Sequence, residues 1–171
     1  FSDGVLDKTG EVLDGMKEAQ ARGVVIDVGH GAGGFSFPAA EKALSQGVYP
    51  GTISSDLHIH NIEGPVFDLT TTLSKFIYLG MSLEDVIRRS TEVPAKTMGL
   101  SNELGTLKPG SHGDVTIMRM EKGRFTFRDR LSKATSLGNN TWEPGTCVEA
   151  KQRLTHVHTI KNGEVYRPWL R

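Results

Sequence analysis

The chain of 171 residues is long enough to bury one core, or a modest domain with a smaller satellite. Twenty Lys and Arg balance 20 Asp and Glu, with no basic run longer than a pair, which argues against electrostatic capture by nucleic acid or anionic lipid and towards a small-molecule or protein partner. The single Cys147 excludes an internal disulfide, and no apolar run approaches the roughly 18 residues of a membrane span, so a soluble, cytoplasmic protein without a membrane partner is expected. Phe1-Ser-Asp-Gly-Val carries neither an initiator methionine nor a signal-peptide pattern and reads as the inside of a longer chain.

After a polar, turn-rich start, residues 11–21 place Val12, Leu13, Met16 and Ala19 near helical spacing. The stretch Gly23-Val-Val-Ile-Asp27-Val-Gly29-His30 follows as an apolar strand. Its lack of strict alternation suits a parallel strand covered on both faces, running into the glycine turn Gly31-Ala-Gly33-Gly34. Ser36 can cap a helix over residues 37–46, with Pro38 in its first turn and Gly47 as its stop. Thr52-Ile-Ser-Ser55 is the next strand, and the alternation of strand and helix is the βαβ pattern of an α/β fold.

Three helices are expected next, over residues 66–79, over 83–90 behind the capping-box-like Ser82-Leu-Glu-Asp85, and from Pro94 towards Gly99. From Gly105 onward short strands alternate with turn signals, and Asn162-Gly163 is the strongest hairpin signal. Residues 130–152 read as a polar excursion between strands. Residues 1–100 are therefore expected to form the α/β part and residues 101–171 a small β-rich domain.

The chemistry concentrates in Ser54-Ser55-Asp56-Leu-His58-Ile-His60-Asn61, where a strand runs into a carboxylate and two imidazoles at the sheet's carboxyl edge, the usual place for ligands. An aspartate at such a tip can also simply cap the following loop. If the segment stays extended, His58 and His60 point to opposite sides and one is structural. His156 and His158 repeat the spacing in what reads as an ordinary strand, Asp27 reads as a paired structural carboxylate, and Cys147 as an inert thiol. The glycines at 31–34 either let backbone amides approach a ligand or merely permit a tight turn.

The order of these parts, Asp-Val-Gly-His30-Gly, a helix, Ser-Ser-Asp56-Leu-His-Ile-His60-Asn, three helices, then Gly105-Thr-Leu-Lys-Pro-Gly-Ser-His-Gly-Asp114-Val, resembles the C-terminal part of the amidohydrolase superfamily, in its dihydroorotase-like and deacetylase branch. The resemblance implies the last two βα units of a (β/α)8 TIM-type barrel plus strands of a small β-sandwich. It implies a divalent metal, zinc first among the candidates, with most ligands upstream of Phe1. It gives Asp56 the roles of catalytic proton carrier and metal ligand. His60, Asn61, His30 and Gly31 become candidate substrate contacts, with His60 meeting a substrate carboxylate.

The reaction so implied is hydrolysis of an amide C–N bond, or a related acyl ester, in a small carboxylate-bearing substrate, by an enzyme that is expected to be a homo-oligomer. The competing reading is a non-catalytic scaffold or regulatory subunit of the same ancestry. A self-contained ligand-binding domain would have to leave the apolar strand at 24–28 as an open edge.

Overall fold

The computed structural model describes residues 1–130 and 145–166. A short 3-10 turn, Asp3–Val5, leads to helix α1, Asp14–Ala21. Helices α2, Phe37–Ser45, and α3, Leu69–Tyr78, flank the two segments expected to be parallel strands. Helices α4, Leu83–Ser90, and α5, Glu92–Thr97, close the α/β part. The chain then forms a three-stranded antiparallel sheet in the order β1, Val115–Arg128, β2, Cys147–Lys161, and β3, Glu164–Val165.

The two expected strands lie side by side and parallel, joined at a single bridge between Asp27 and Thr52. The amides of Val28, His30 and Gly31 donate to the carbonyls of Thr52, Ser54 and Ser55 at 3.2, 3.2 and 3.0 Å. Neither segment becomes a regular strand, since the two are joined by that single bridge and a few flanking hydrogen bonds. The expectation that residues 24–28 are covered on both faces is corrected accordingly: Val24 is 50% exposed and Val25 41%.

Helix starts follow side-chain caps. Ser36 accepts from the Ala39 amide in front of α2, and Ser82 from Asp85 in front of α4. Helix α3 begins at Leu69 rather than residue 66 because the Asp68 carboxylate accepts from the Thr71 amide at 2.6 Å and from the Thr70 hydroxyl. Pro94 falls inside α5 rather than opening it.

The sheet departs further from expectation. The pieces predicted around residues 113–118 and 125–127 are one long strand, β1, in which register shifts after Ile117 and Lys122 break the alternation that would have announced it. Within the expected excursion, residues 147–152 belong to β2, while residues 131–144 lie outside the described part. The hairpin at Asn162-Gly163 forms as expected, both residues at positive φ, +53° and +80°.

One hydrophobic cluster runs through both parts, joining Phe35, Phe37, Leu73 and Phe76 of the α/β part to Phe127, Ala150 and Leu154 of the sheet. Each fully buried Phe or Leu contributes about 1.5–3 kcal/mol. Polar ties run alongside: the Leu154 amide donates to Ser74 Oγ on α3, and Asp129 Oδ2 accepts from the Phe37 amide at the start of α2. The small sheet is thus packed onto the α/β part rather than tethered to it.

Candidate active site

The ladder delivers Asp56 and the glycine turn to one place. Asp56 sits at φ +47°, left-handed backbone that aspartate adopts more readily than most residues and that tends to occur where function fixes it. Its side chain is exposed, and among the described residues no hydrogen-bond donor meets its carboxylate. The carboxylate lies directly over Gly31: a Cβ built at that glycine would stand 2.6 Å from Asp56 Oδ2. Gly31 is itself at φ +50°, so both the space and the backbone there call for glycine.

Behind Asp56 the chain turns sharply instead of staying extended. The Asn61 carboxamide accepts from the His58 amide at 2.8 Å and donates to the Asp56 carbonyl at 2.9 Å. The Asn61 amide donates to His58 O. Because of this turn the His58 and His60 rings are neighbours, 5.8 Å apart, rather than on opposite sides. Both are exposed.

Of the four residues expected at the substrate, His60 alone presents an exposed side chain. Asn61 is fully buried, with both ends of its carboxamide spent on the turn. The Gly31 amide is spent on Ser55, so the contribution of that residue is the space beneath the Asp56 carboxylate. His30 is fully buried, stacked on Phe35 at 4.8 Å, and both its nitrogens are engaged. Burial, and then the neighbouring Lys75 charge, lower its pKa to about 4, so the ring is neutral.

The sequence reading missed Lys75. This lysine is fully buried on α3, its Nζ 2.7 Å from His30 Nε2 and 2.8 Å from the carbonyls of Pro65 and Arg128. Burial lowers its pKa to about 7, with the Asp129 charge acting in the opposite direction. A sequence signal did exist: a histidine closing an apolar strand needs a buried polar partner.

Asp27 accepts from the Thr52 and Ser54 hydroxyls at 2.6 and 2.5 Å. These three residues, with Ser55 and Ser90, line a recess of about 350 Å³ along the same face of the ladder. Among the described residues no three His, Cys, Asp or Glu side chains converge as a complete metal site. Asp56 therefore offers a single carboxylate oxygen donor, which suits a divalent ion but does not by itself hold one.

Residues 35–165 match the Amidohydrolase family. The chain belongs to the amidohydrolase family. Its relatives include proteins named deacetylase from Enterococcus faecalis, 34% identical over 95% of this chain, and from Brucella anthropi, 35% identical over 81%. The chain spans 41% and 34% of the lengths of those two amidohydrolase relatives. Among solved structures it is similar to an adenine deaminase, with a TM-score of 0.82 and 34% identity over 95% of this chain and 41% of that one. It is also similar to a dihydroorotase, with a TM-score of 0.70 and 29% identity over 87% of this chain and 37% of that one.

Proposed function

We propose that this chain carries the proton-handling corner of a metal-dependent amidohydrolase that cleaves an amide-type C–N bond, or a related acyl ester, in a small carboxylate-bearing substrate. The observation that carries the reading is the Asp56 carboxylate, held at the end of a parallel ladder on left-handed backbone and met by no donor among the described residues. The family match and the deacetylase, deaminase and dihydroorotase relatives support the same reaction class.

In this reading the paired segments at 26–31 and 52–56 are the last two strands of a (β/α)8 barrel, residues 1–100 form its C-terminal end and residues 101–171 a small β-sandwich. The parallel ladder, the exposed valines at 24 and 25 and the partial span of the relatives support that placement. Asp56 is one ligand of a divalent ion, zinc first among the candidates, and the remaining ligands come from upstream barrel strands. When bound, such an ion activates water by bringing its pKa down to about 7.

Asp56 takes the proton from the attacking water and returns it to the departing nitrogen or oxygen, a transfer worth about 10²–10⁴-fold. His60, exposed in the turn that follows Asp56, meets the substrate carboxylate. Asn61 holds the turn that presents His60, and Gly31 leaves room for the carboxylate. Replacing Asp56 by Asn in the full-length protein, assayed with N-acetyl amino acids and acyl esters, is expected to lower kcat by about a thousandfold or more, with the melting temperature kept within a few degrees. Turnover near wild type would remove Asp56 from the mechanism.

A further inference from the structure

Lys75, His30 and Gly31 form a relay of contacts that ends beneath Asp56. An ammonium has three N–H donors and no acceptor, and Lys75 Nζ meets three acceptors: the Pro65 carbonyl, the Arg128 carbonyl and His30 Nε2. The Gly31 carbonyl can only accept, so the ring nitrogen that faces it carries the proton, and the neutral ring leaves Nε2 bare to accept from Lys75 Nζ. His30 is therefore the tautomer protonated at Nδ1, and that N–H donates to the Gly31 carbonyl at 2.8 Å. Gly31 is the residue whose missing side chain leaves the Asp56 carboxylate its place.

The other end of the relay lies in the sheet. Arg128 closes β1, and the next residue, Asp129, is fully buried, binding the Phe37 amide at 2.9 Å and the Thr146 amide at 2.7 Å. A buried group carrying charge is costly unless paired and hydrogen-bonded, so three contacts converging on one lysine mark a fixed post rather than a side chain with a choice of positions.

We propose that Lys75 is a positioning residue for the Asp56 corner: it fixes the His30 tautomer, the ring pins the Gly31 carbonyl, and the Arg128 contact anchors the whole relay to the small sheet. The sheet thereby helps set where the carboxylate stands. Its kinetic consequence rests on the reading of Asp56 given above, whereas the tautomer does not.

The test uses the full-length protein labelled with 15N-histidine, its long-range 15N–1H spectrum, and the kinetics of Lys75→Met, His30→Asn and His30→Leu. Wild type is expected to show His30 protonated at Nδ1, and Lys75→Met to show that preference weakened, with kcat down about tenfold to a hundredfold and KM nearly unchanged. The carboxamide introduced by His30→Asn would place its nitrogen near the former Nδ1, so that variant keeps most of kcat while His30→Leu loses it.

A wild-type ring protonated at Nε2 overturns the proposal. So does wild-type kcat in Lys75→Met, or equal kcat in the two His30 variants. If Lys75→Met does not fold, the wild-type spectrum and the His30 pair decide. Turnover retained in Asp56→Asn alongside the Nδ1 tautomer would instead sink the reading of Asp56 and leave the relay standing.

Discussion

The ladder that carries the candidate site has two faces that differ in almost every respect. Towards the helices it presents Val28, His30 and Ile53, all buried, the ring of His30 against Phe35 and its Nε2 against Lys75. Towards the other side it presents Asp27, Thr52 and Ser54, partly or wholly exposed, a carboxylate and two hydroxyls lining one recess, and the exposed Asp56 follows where the backbone turns left-handed. A period of two along the backbone sorts them, since successive side chains of an extended segment point to opposite faces. One face is completed within this chain, and its polar groups are saturated. The other carries its polar groups in the open, with Asp56 at its end, and that is where chemistry has room.

Gly31 joins the two faces, and changing it should disturb both stability and turnover. A methyl group at residue 31 would meet Asp56 Oδ2 and force an L side chain onto φ +50°. Gly31→Ala is expected to cost about 1–3 kcal/mol of stability from the backbone alone. Moving the carboxylate should add a fall in kcat of about tenfold or more. Chemical denaturation and steady-state kinetics on the same variant separate the two. A stability loss with unchanged kcat would show that the carboxylate does not work from the position seen over this glycine.

Acid tests the closed face. The folded pKa of His30, about 4, lies below the ordinary histidine value near 6.5, so the neutral ring is the form the fold holds. Between those values the unfolded chain binds more protons than the folded one, and stability rises with pH. The contribution of His30 is therefore fully present above pH 6.5 and is lost as pH falls through about 4. Lys75, at about 7 against an ordinary 10.5, adds its own rise of stability with pH only above 7, and leaves the acid window to His30. Denaturation midpoints across pH 4–7 should fall more steeply in wild type than in His30→Asn. Parallel profiles would mean that the ring does not hold itself neutral in the fold.

Much of the helix side was legible in the sequence because local chemistry decides it: Ser36 and Ser82 cap the helices they were expected to cap, and Asn162-Gly163 makes its turn. Asp68 shows the limit, since a cap inside an apolar run leaves the helical spacing unbroken, and α3 starts three residues later than the expected 66. Long-range contacts were the harder part. Nothing near Lys75 in the sequence says that His30, 45 positions away, is its partner, and nothing near Asn61 says that its carboxamide folds the segment after Asp56 into a turn. The relation of Asp56 to Gly31 was legible only as two strand tips meeting, because the fit between a carboxylate and a missing side chain exists only in three dimensions.

The open face yields the smallest effect and the sharpest reading of what covers it. Asp27 takes one hydroxyl on each carboxylate oxygen, from Thr52 and from Ser54. Removing the Ser54 hydroxyl leaves one oxygen without its protein donor. Where water reaches that oxygen, it replaces the hydroxyl and the loss is small. Inside a closed barrel the oxygen would stay unpaired, and Ser54→Ala in the full-length protein is then expected to cost about 1–2 kcal/mol, read as a shift in the urea midpoint. Thr52→Ala should behave alike, and the double variant should lose less than the sum if both hydroxyls act through the same carboxylate. A negligible shift in all three would mean that this row faces solvent in the whole protein as well, and the barrel placement of residues 26–31 and 52–56 would have to be abandoned.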